Sequence, residues 1–462
     1  MRHRPMSLRF RPSLSFVLLC VLLCTLWVAG GATRADVAGQ IIVRAISWSI
    51  LMIAILFLPW SMPKGARPIL FLLAGAILLA LLQLIPLPPS IWQSLPGRHP
   101  LIDAAAISGQ AQPWRPWSIV PGATLNAVSS LIVPLVTLVL VAGLPTQDQK
   151  WLPSLILAMI VTGMMIGLLQ VSGAGFDNVL VNDTPGDVSG MFANRNHFAL
   201  FMALGCLMSP VWAFSVGGRP SWRGLAAIGL TLLFILMILA TGSRAGIGLG
   251  LLGVSLGLFI VRRPIRQWVS RYPGWVIWSS IAGLIAVVAI LVSISIIENR
   301  AVSVNRVFAI DPGQDMRSRG LPTVMAMIQT YFPFGSGLGG FDPIFRMNEP
   351  FGLLKPTYFN HAHNDLLEIA LDAGLPGLLL LVTALGRWAW LSVRAWRADV
   401  PVRHALPKLG SAMLLLVVVA SLFDYPSRTP VVMALVIIAA FWLSDASDSQ
   451  DRSALPEGGQ HL

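Results

Sequence analysis

The sequence is poor in charge. Of 462 residues, 11% are Asp, Glu, Lys or Arg, where soluble domains carry about 25%. Thirty-two basic and 20 acidic residues cannot coat a water-soluble fold of this size, which excludes the soluble, disordered and nucleic-acid-binding classes. The formal net charge of +12 therefore fits an anionic membrane surface and Lys/Arg-rich cytoplasmic loops, with no nucleic acid as partner. Cysteine is also scarce. Cys20, Cys24 and Cys206 all lie in apolar runs, which leaves neither a disulfide framework nor a metal cluster. No internal repeat is visible and few charges fall in mid-span. A multi-pass transporter or flippase, the alternative from another class, calls for both intramembrane charges and matched broken helices. What the chain has in abundance is apolar surface: 55% of residues are hydrophobic and the mean hydropathy is +0.74.

A membrane-spanning helix needs about 20 mostly apolar residues. Such runs lie near 14–29, 41–60, 69–87, 125–144, 153–171, 198–216, 225–240, 245–261, 275–297, 366–386, 409–423 and 430–444. They predict an all-α integral membrane protein with about twelve transmembrane helices. The first run follows Arg2, Arg4, Arg9 and Arg11 and has a signal-peptide look, but with so many spans behind it we read it as a retained helix. With a cytoplasmic N-terminus and alternating loops, 19 Lys/Arg fall on the cytoplasmic side. Seven fall opposite: Arg34, Arg44, Arg98, Arg115, Arg195, Arg244 and Arg428. That bias places both termini in the cytoplasm.

The remaining six basic residues sit in one long external stretch, 298–364, rich in Gly, Pro and aromatics. Loops of this length are usually functional or disordered, and the apolar content predicts an ordered lid of short helices. The expected organisation is a membrane bundle over 1–297, the loop over 298–364, a second bundle over 365–444 and a disordered cytoplasmic tail over 445–462. A smaller external segment, 88–124, carries Trp92, Trp114 and Trp117, which read as interfacial anchors.

External polar residues cluster in four places: Asn194-Arg195-Asn196-His197, Thr241 to Gly246 around Arg244, Asp315 to Arg319 with Arg317 and Arg319, and His361-Ala362-His363-Asn364-Asp365. An arginine at the membrane edge is costly unless it snorkels or meets an anion. Three arginine groups and a histidine pair on one side suit an anionic lipid head group. Plainer readings stand beside this one. Arg195 and Arg244 equally suit helix ends anchored in phospholipid, Arg317 and Arg319 suit solvated loop charges, and His361 and His363 suit ordinary loop histidines. No third His or Cys has the spacing of a zinc site.

Asp365-Leu-Leu-Glu368 has capping-box spacing, so a helix is expected to begin there, with His363 two residues before the cap. A neutral imidazole at that point can accept a proton from a sugar hydroxyl. Arginine forks can hold a pyrophosphate and offset charge on a leaving group. Together the set suits glycosyl transfer from a lipid-linked diphosphate. No Asp-x-Asp lies in an external loop, so the cationic clamp falls to the arginines, with no metal or other cofactor expected. Gly335-Ser-Gly-Leu-Gly-Gly340 matches a dinucleotide-binding pattern but has no strand–helix unit around it. It is expected to be a tight turn after a helix starting near Pro322.

Phe332 to Phe341 resembles the Pro-x-x-Gly-x-Gly-x-Gly-x-Phe stretch of the O-antigen ligases and polymerases. His363-Asn364, with Gly374 and Gly377 behind it, resembles the ligases' His-(Asn/Ser/Gln)-x9-Gly-x-x-Gly. The Asn-Arg-Asn and Gly-Ser-Arg-Ala-Gly elements are similar too. The resemblance covers roughly residues 190–390 by motif. It implies a metal-independent, GT-C-like glycosyltransferase of the bacterial inner membrane, acting at the periplasmic face and inverting configuration. The donor would be an undecaprenyl-diphosphate-linked glycan. The acceptor would be lipid A–core for a ligase, or a growing O-antigen or exopolysaccharide for a polymerase; a transferase to protein or another acceptor shares the same donor chemistry. The family's essential histidine falls on His363, with His361, Asn364 and Asp365 in support. Its membrane-edge arginine falls on Arg244 and its loop arginine on Arg319 or Arg317. Arg195 joins the diphosphate set. The family often shows Trp four residues after the loop arginine. This chain has none, and Arg319 is the favoured choice.

Overall fold

The computed structural model describes residues 12–453 apart from 60–61, 174–175, 182–185, 216–221, 277, 280–281, 284–285, 287–288, 291–292, 294–315, 355–358 and 399–400. Most of the expected ninth span, the first part of the large loop with Asp315, and the last residues of the tail lie outside the described residues.

The described chain is helical, apart from a two-residue antiparallel ladder that pairs Pro86 with Pro116 and Leu87 with Arg115. In chain order the helices are α1 Leu14–Ala29, α2 Ala38–Phe57, α3 Arg67–Leu82, α4 Pro89–Trp92, α5 His99–Ile107, α6 Pro121–Ser130, α7 Ile132–Ala142, α8 Thr146–Gln149, α9 Leu152–Val171, α10 Arg195–Phe214, α11 Trp222–Ala240, α12 Arg244–Ile260, α13 Arg262–Val269, α14 Met316–Tyr331, α15 Phe341–Asn348, α16 Asp365–Arg397, α17 Leu406–Ser421 and α18 Pro430–Ser453. Seven stretches are long and apolar enough to cross a membrane. The α12–α13 pair, bent by 66°, makes an eighth. Leu14–Ala29, Leu406–Ser421 and Pro430–Ser444 are shorter apolar helices. The apolar runs became helices because a backbone in lipid must satisfy its own hydrogen bonds.

Helix α10 is the hub. Nearly its whole length is buried, from His197 to Phe214, and α11 and α12 pack along it. The α12 crossing is tight because glycines face α10. A Cβ at Gly246 would lie 2.6 Å from the Ala199 Cβ, and one at Gly253 would lie 2.5 Å from the Ala203 carbonyl oxygen. Small residues at such spacing let two membrane helices approach closely.

Within the large loop, α14 and α15 form their own core of Val324, Met327, Tyr331, Phe341, Ile344, Phe345, Leu353 and Phe359, which reaches Leu371 of α16. Helix α14 is already helical at Met316, six residues before the expected start, with Pro322 inside it. The glycine segment after it is a tight turn. Gly335, Gly337 and Gly339 take φ of 81°, 106° and 76°, open to glycine at little cost. This turn fits against a break in α16, where Gly374 has φ 57° and ψ −148°. A Cβ on Gly374 would stand 2.1 Å from the Pro333 carbonyl oxygen, and one on Gly335 would stand 2.7 Å from the Asp372 carbonyl oxygen. Leu375 N donates to Pro333 O (2.8 Å) and Gly337 N to Asp372 O (2.9 Å). The two glycine motifs are thus halves of one joint.

Two expectations are corrected in detail. Trp92 is fully buried, not interfacial, because its Nε1 donates to Pro113 O (2.9 Å) inside the 88–124 segment. Helix α18 runs to Ser453, into the stretch expected to be disordered; no proline or glycine interrupts it before Pro456.

Candidate active site

The loop between α17 and α18 carries two charged residues that organise the site. Asp424 Oδ1 accepts from His363 Nδ1 (2.9 Å). Its Oδ2 accepts from Asn194 Nδ2 (3.1 Å) and Asn196 Nδ2 (2.6 Å). Arg317 NH2 stands 3.7 Å from the same oxygen. Residues from α10's start, α14, the loop before α16 and the 424 loop thereby meet on one carboxylate. Burial alone would raise the Asp424 pKa. The His363 hydrogen bond and the nearby cations outweigh burial and hold the carboxyl well below the usual carboxylate range.

Local structure aims these groups. Asn194 caps α10 by accepting from Asn196 N (2.8 Å), leaving its Nδ2 for Asp424. Asn364 caps α16, accepting from Leu366 N (3.0 Å) and Leu367 N (3.1 Å). The cap is therefore Asn364, one residue earlier than expected, and Asp365 is free to turn elsewhere. A cap of this kind contributes about 1 kcal/mol. His363, just before it, has φ of 50°. A non-glycine residue in the left-handed region costs roughly 1–2 kcal/mol, so the surrounding contacts over-determine this position.

Arg428 is the counterpart of Asp424. Its guanidinium lies 3.4 Å from Asp365 Oδ1, 3.2 Å from Glu368 Oε1 and 3.5 Å from Asp372 Oδ2. Those carboxylates recur at helical spacing, so α16 presents them on one face. Asp365 also accepts from Ser421 Oγ (2.8 Å) and Ser427 Oγ. Asp372 accepts from Gly339 N (3.0 Å), which ties the cage to the glycine turn. Although burial disfavours its charge, the three carboxylates drive the Arg428 pKa above its ordinary value.

The two histidines are held differently. Both nitrogens of His361 are occupied: Nδ1 meets Glu368 Oε1 (2.7 Å) and Nε2 meets Thr33 Oγ1 (3.3 Å). His363 Nε2 has no hydrogen-bond partner among the described residues, and the side chain is 18% exposed. Tyr425 lies between them, its ring centroid 4.0 Å from His361, 5.1 Å from His363 and 5.0 Å from His197. Burial, then the Asp424 charge, push its phenol above the ordinary value. His197 is buried against Thr429 Oγ1 (3.0 Å), with its Nε2 unsatisfied.

The remaining sequence-derived candidates separate. Arg317 is in the Asp424 cluster. Arg319 donates instead to Gly352 O (2.6 Å). Arg195 pairs with Asp187 (3.1 Å) beside the asparagine cap. Arg244 is exposed at the start of α12, whose first turn packs on α10 at Ala199. Asp424, Tyr425, Arg428 and Glu368 were not among the candidates. Asp424, Tyr425 and Arg428 showed themselves only as ionisable residues in the short stretch between α17 and α18, and Glu368 only through its capping-box spacing. Among the described residues no group of three or more His, Cys, Asp or Glu side chains is arranged to hold a metal ion.

Comparison with known proteins agrees with the motifs. No curated protein matches the chain. Residues 229–382 match the family model described as O-antigen ligase. The matched segment contains Arg244, Arg317, Arg319, the glycine turn, both histidines and the first half of α16. It stops short of Asp424 and Arg428, which complete the cluster from outside it. Over that segment, about a third of its length, this helical chain with seven or eight stretches apolar enough to cross a membrane is similar to the O-antigen ligase family.

Proposed function

We propose that the chain is a metal-independent glycosyltransferase of the bacterial inner membrane, with about twelve spans in a GT-C-like arrangement. It takes a glycan from undecaprenyl diphosphate and transfers it at the periplasmic face to a hydroxyl of lipid A–core or of a growing polysaccharide. The observation that carries this reading is the His363–Asp424 pair. A carboxylate on Nδ1 fixes the imidazole tautomer and leaves Nε2 to take a proton.

In the proposed reaction the acceptor hydroxyl loses its proton to His363 Nε2 as its oxygen bonds the anomeric carbon. The bond from that carbon to the diphosphate oxygen breaks, and undecaprenyl diphosphate leaves with the electron pair. A single displacement inverts the configuration. Asp424 steadies the imidazolium that forms. Arg317, rather than Arg319, is the loop arginine of the reaction, because it shares the carboxylate that holds the base. Arg244 and Arg195 add positive charge for the diphosphate. His361, Asn364 and Asp365 position the loop segment that carries His363.

The test is transfer by the purified full-length protein from a synthetic polyprenyl-diphosphate glycan, with divalent metal chelated. Wild type is expected to turn over and His363→Ala to be inactive. Normal transfer by that folded variant would overturn the base assignment, and a strict need for Mg²⁺ or Mn²⁺ would overturn the arginine clamp. Acceptor class is read from a deletion strain: loss of attached O-antigen marks a ligase, core bearing one repeat unit marks an O-antigen polymerase.

A further inference from the structure

Helices α12, α16 and α17 each start or end beside the candidate site, and their opposite ends meet. At 1.5 Å per residue α12 ends roughly 25 Å from Arg244, and there the chain bends by 66° into α13. Phe259, in the last turn of α12, stands 5.5 Å from the Trp396 ring of α16. The Trp396 indole Nε1 donates to Ser411 Oγ of α17 (3.0 Å). Arg262 lies with its guanidinium 3.9 Å from the Phe259 ring centroid and donates to Phe259 O (3.1 Å). Lys408, in the first turn of α17, donates to Ala398 O just past α16 (2.9 Å). Arg262 and Arg263 are near enough for their charges to act on it.

Helix α13 divides by face. Its sequence Arg-Arg-Pro-Ile-Arg-Gln-Trp-Val sets Arg262, Arg263 and Arg266 on one side at i, i+3 and i+4 spacing. Those three are exposed. On the other side Ile265 packs against the bundle core, and Trp268 meets Tyr272 at 5.2 Å, both exposed. A basic amphipathic helix of this kind lies in a membrane interface with its cations at the head groups.

These cations belong to the set that orients the chain, but orientation needs only their presence in a loop. It does not require cations from two helices to crowd one aromatic pair, where they repel one another. Local carboxylates do not relieve that repulsion. The sequence has no Asp or Glu between Asp187 and Glu298, and among the described residues Arg262 and Lys408 hydrogen-bond to backbone carbonyls.

We propose that this elbow, on the membrane face opposite the candidate site, binds a phospholipid whose head group joins two phosphodiesters, as in cardiolipin. One phosphodiester offsets one charge. A head group with two brings the second in as an intramolecular contact. The Arg262 and Arg263 forks take one phosphate and Lys408 meets the other as a point charge. Phe259 and Trp268 lie along the acyl chains. The site stands apart from the transferase chemistry and needs only that the chain spans a membrane.

The test is lipid binding to delipidated, detergent-solubilised full-length protein, read by native mass spectrometry and by the rise in Tm. Wild type is expected to bind cardiolipin about tenfold or more tightly than phosphatidylethanolamine, in line with charge-assisted contacts, and more tightly than phosphatidylglycerol at equal phosphate. The combined variant Arg262→Gln, Arg263→Gln, Lys408→Gln is expected to lose that preference, and Lys408→Gln alone to lose part of it. Lys64→Gln, Arg67→Gln, Lys150→Gln removes the same charge elsewhere on the same face and is expected to keep it. Wild-type binding by the folded elbow variants overturns the site. Equal loss in the second set overturns it in favour of bulk charge, and phosphatidylglycerol binding as tightly as cardiolipin overturns the two-phosphate occupant.

Discussion

Asp424 and Arg428 lie four residues apart in one loop and solve the same problem in opposite ways. Each is a charge in an apolar protein. Asp424 collects one histidine, one arginine and two amides, all neutral or cationic, from distant parts of the chain. Arg428 collects three carboxylates from a single helix face. The first arrangement leaves an imidazole nitrogen open; in the second, the histidine bonded to Glu368 is tied at both nitrogens. A His–carboxylate contact is therefore not by itself a sign of a base. What separates the two is whether the network ends at the histidine or passes through it.

Substitutions that disturb each half separately would break or sharpen this comparison. The largest effect is expected at the Asp424 half. Asp424→Asn keeps the shape but removes the charge that orders the imidazole, and transfer should fall by about 10³–10⁴-fold, as for other oriented His–Asp pairs, with the elution profile unchanged. An Asp424→Asn enzyme within tenfold of wild type would detach His363 from its proposed partner. At the other half the expected loss is in stability. Arg428→Met leaves buried carboxylates unpaired, and removing one partner of such a cluster costs about 3–5 kcal/mol; thermal unfolding in detergent should show a clear drop in Tm.

A smaller contrast is expected between the two loop arginines. Arg317→Ala should lower transfer by about tenfold or more, in line with a lost charge-assisted contact worth about 1.5–3 kcal/mol. Arg319→Ala should change it by less than about threefold, since its bond is to an exposed carbonyl. The reverse order would restore Arg319 as the functional residue. The smallest effect concerns acid. The Asp424 carboxyl is depressed in the folded state, so its stabilisation is present above the unfolded carboxylate pKa, about 3.9, and is lost as pH falls below that value. Stability measured from pH 5 to 3 should fall less steeply in Asp424→Asn than in wild type.

The helices were legible in the sequence because hydropathy reports the solvent directly. Long apolar runs such as 153–171 and 225–240 became α9 and α11. The histidine helix was legible through its cap chemistry, shifted by one residue to Asn364. Asp424 was not, because nothing near it in sequence marks it. Its partners lie 61, 228 and 230 residues away, and only the fold brings them together. In the sequence Arg428 counts solely as an orientation charge. Trp92 misled for the same reason: an aromatic in an external segment reads as interfacial until Pro113 is found waiting for its indole N–H. The glycine motifs were visible as motifs, but their mutual contact was not.

That contact bears on how such proteins can be recombined. The turn at Gly335–Gly339 and the break at Gly374 each occupy space that only a missing Cβ leaves open, and they trade backbone hydrogen bonds. A chimera that imports the large loop from a relative while keeping its own histidine helix would join halves cut to different templates. Swaps that carry residues 332–341 and 371–377 together should assemble, whereas swaps of either segment alone should misassemble, whatever sugar the borrowed loop was chosen to admit.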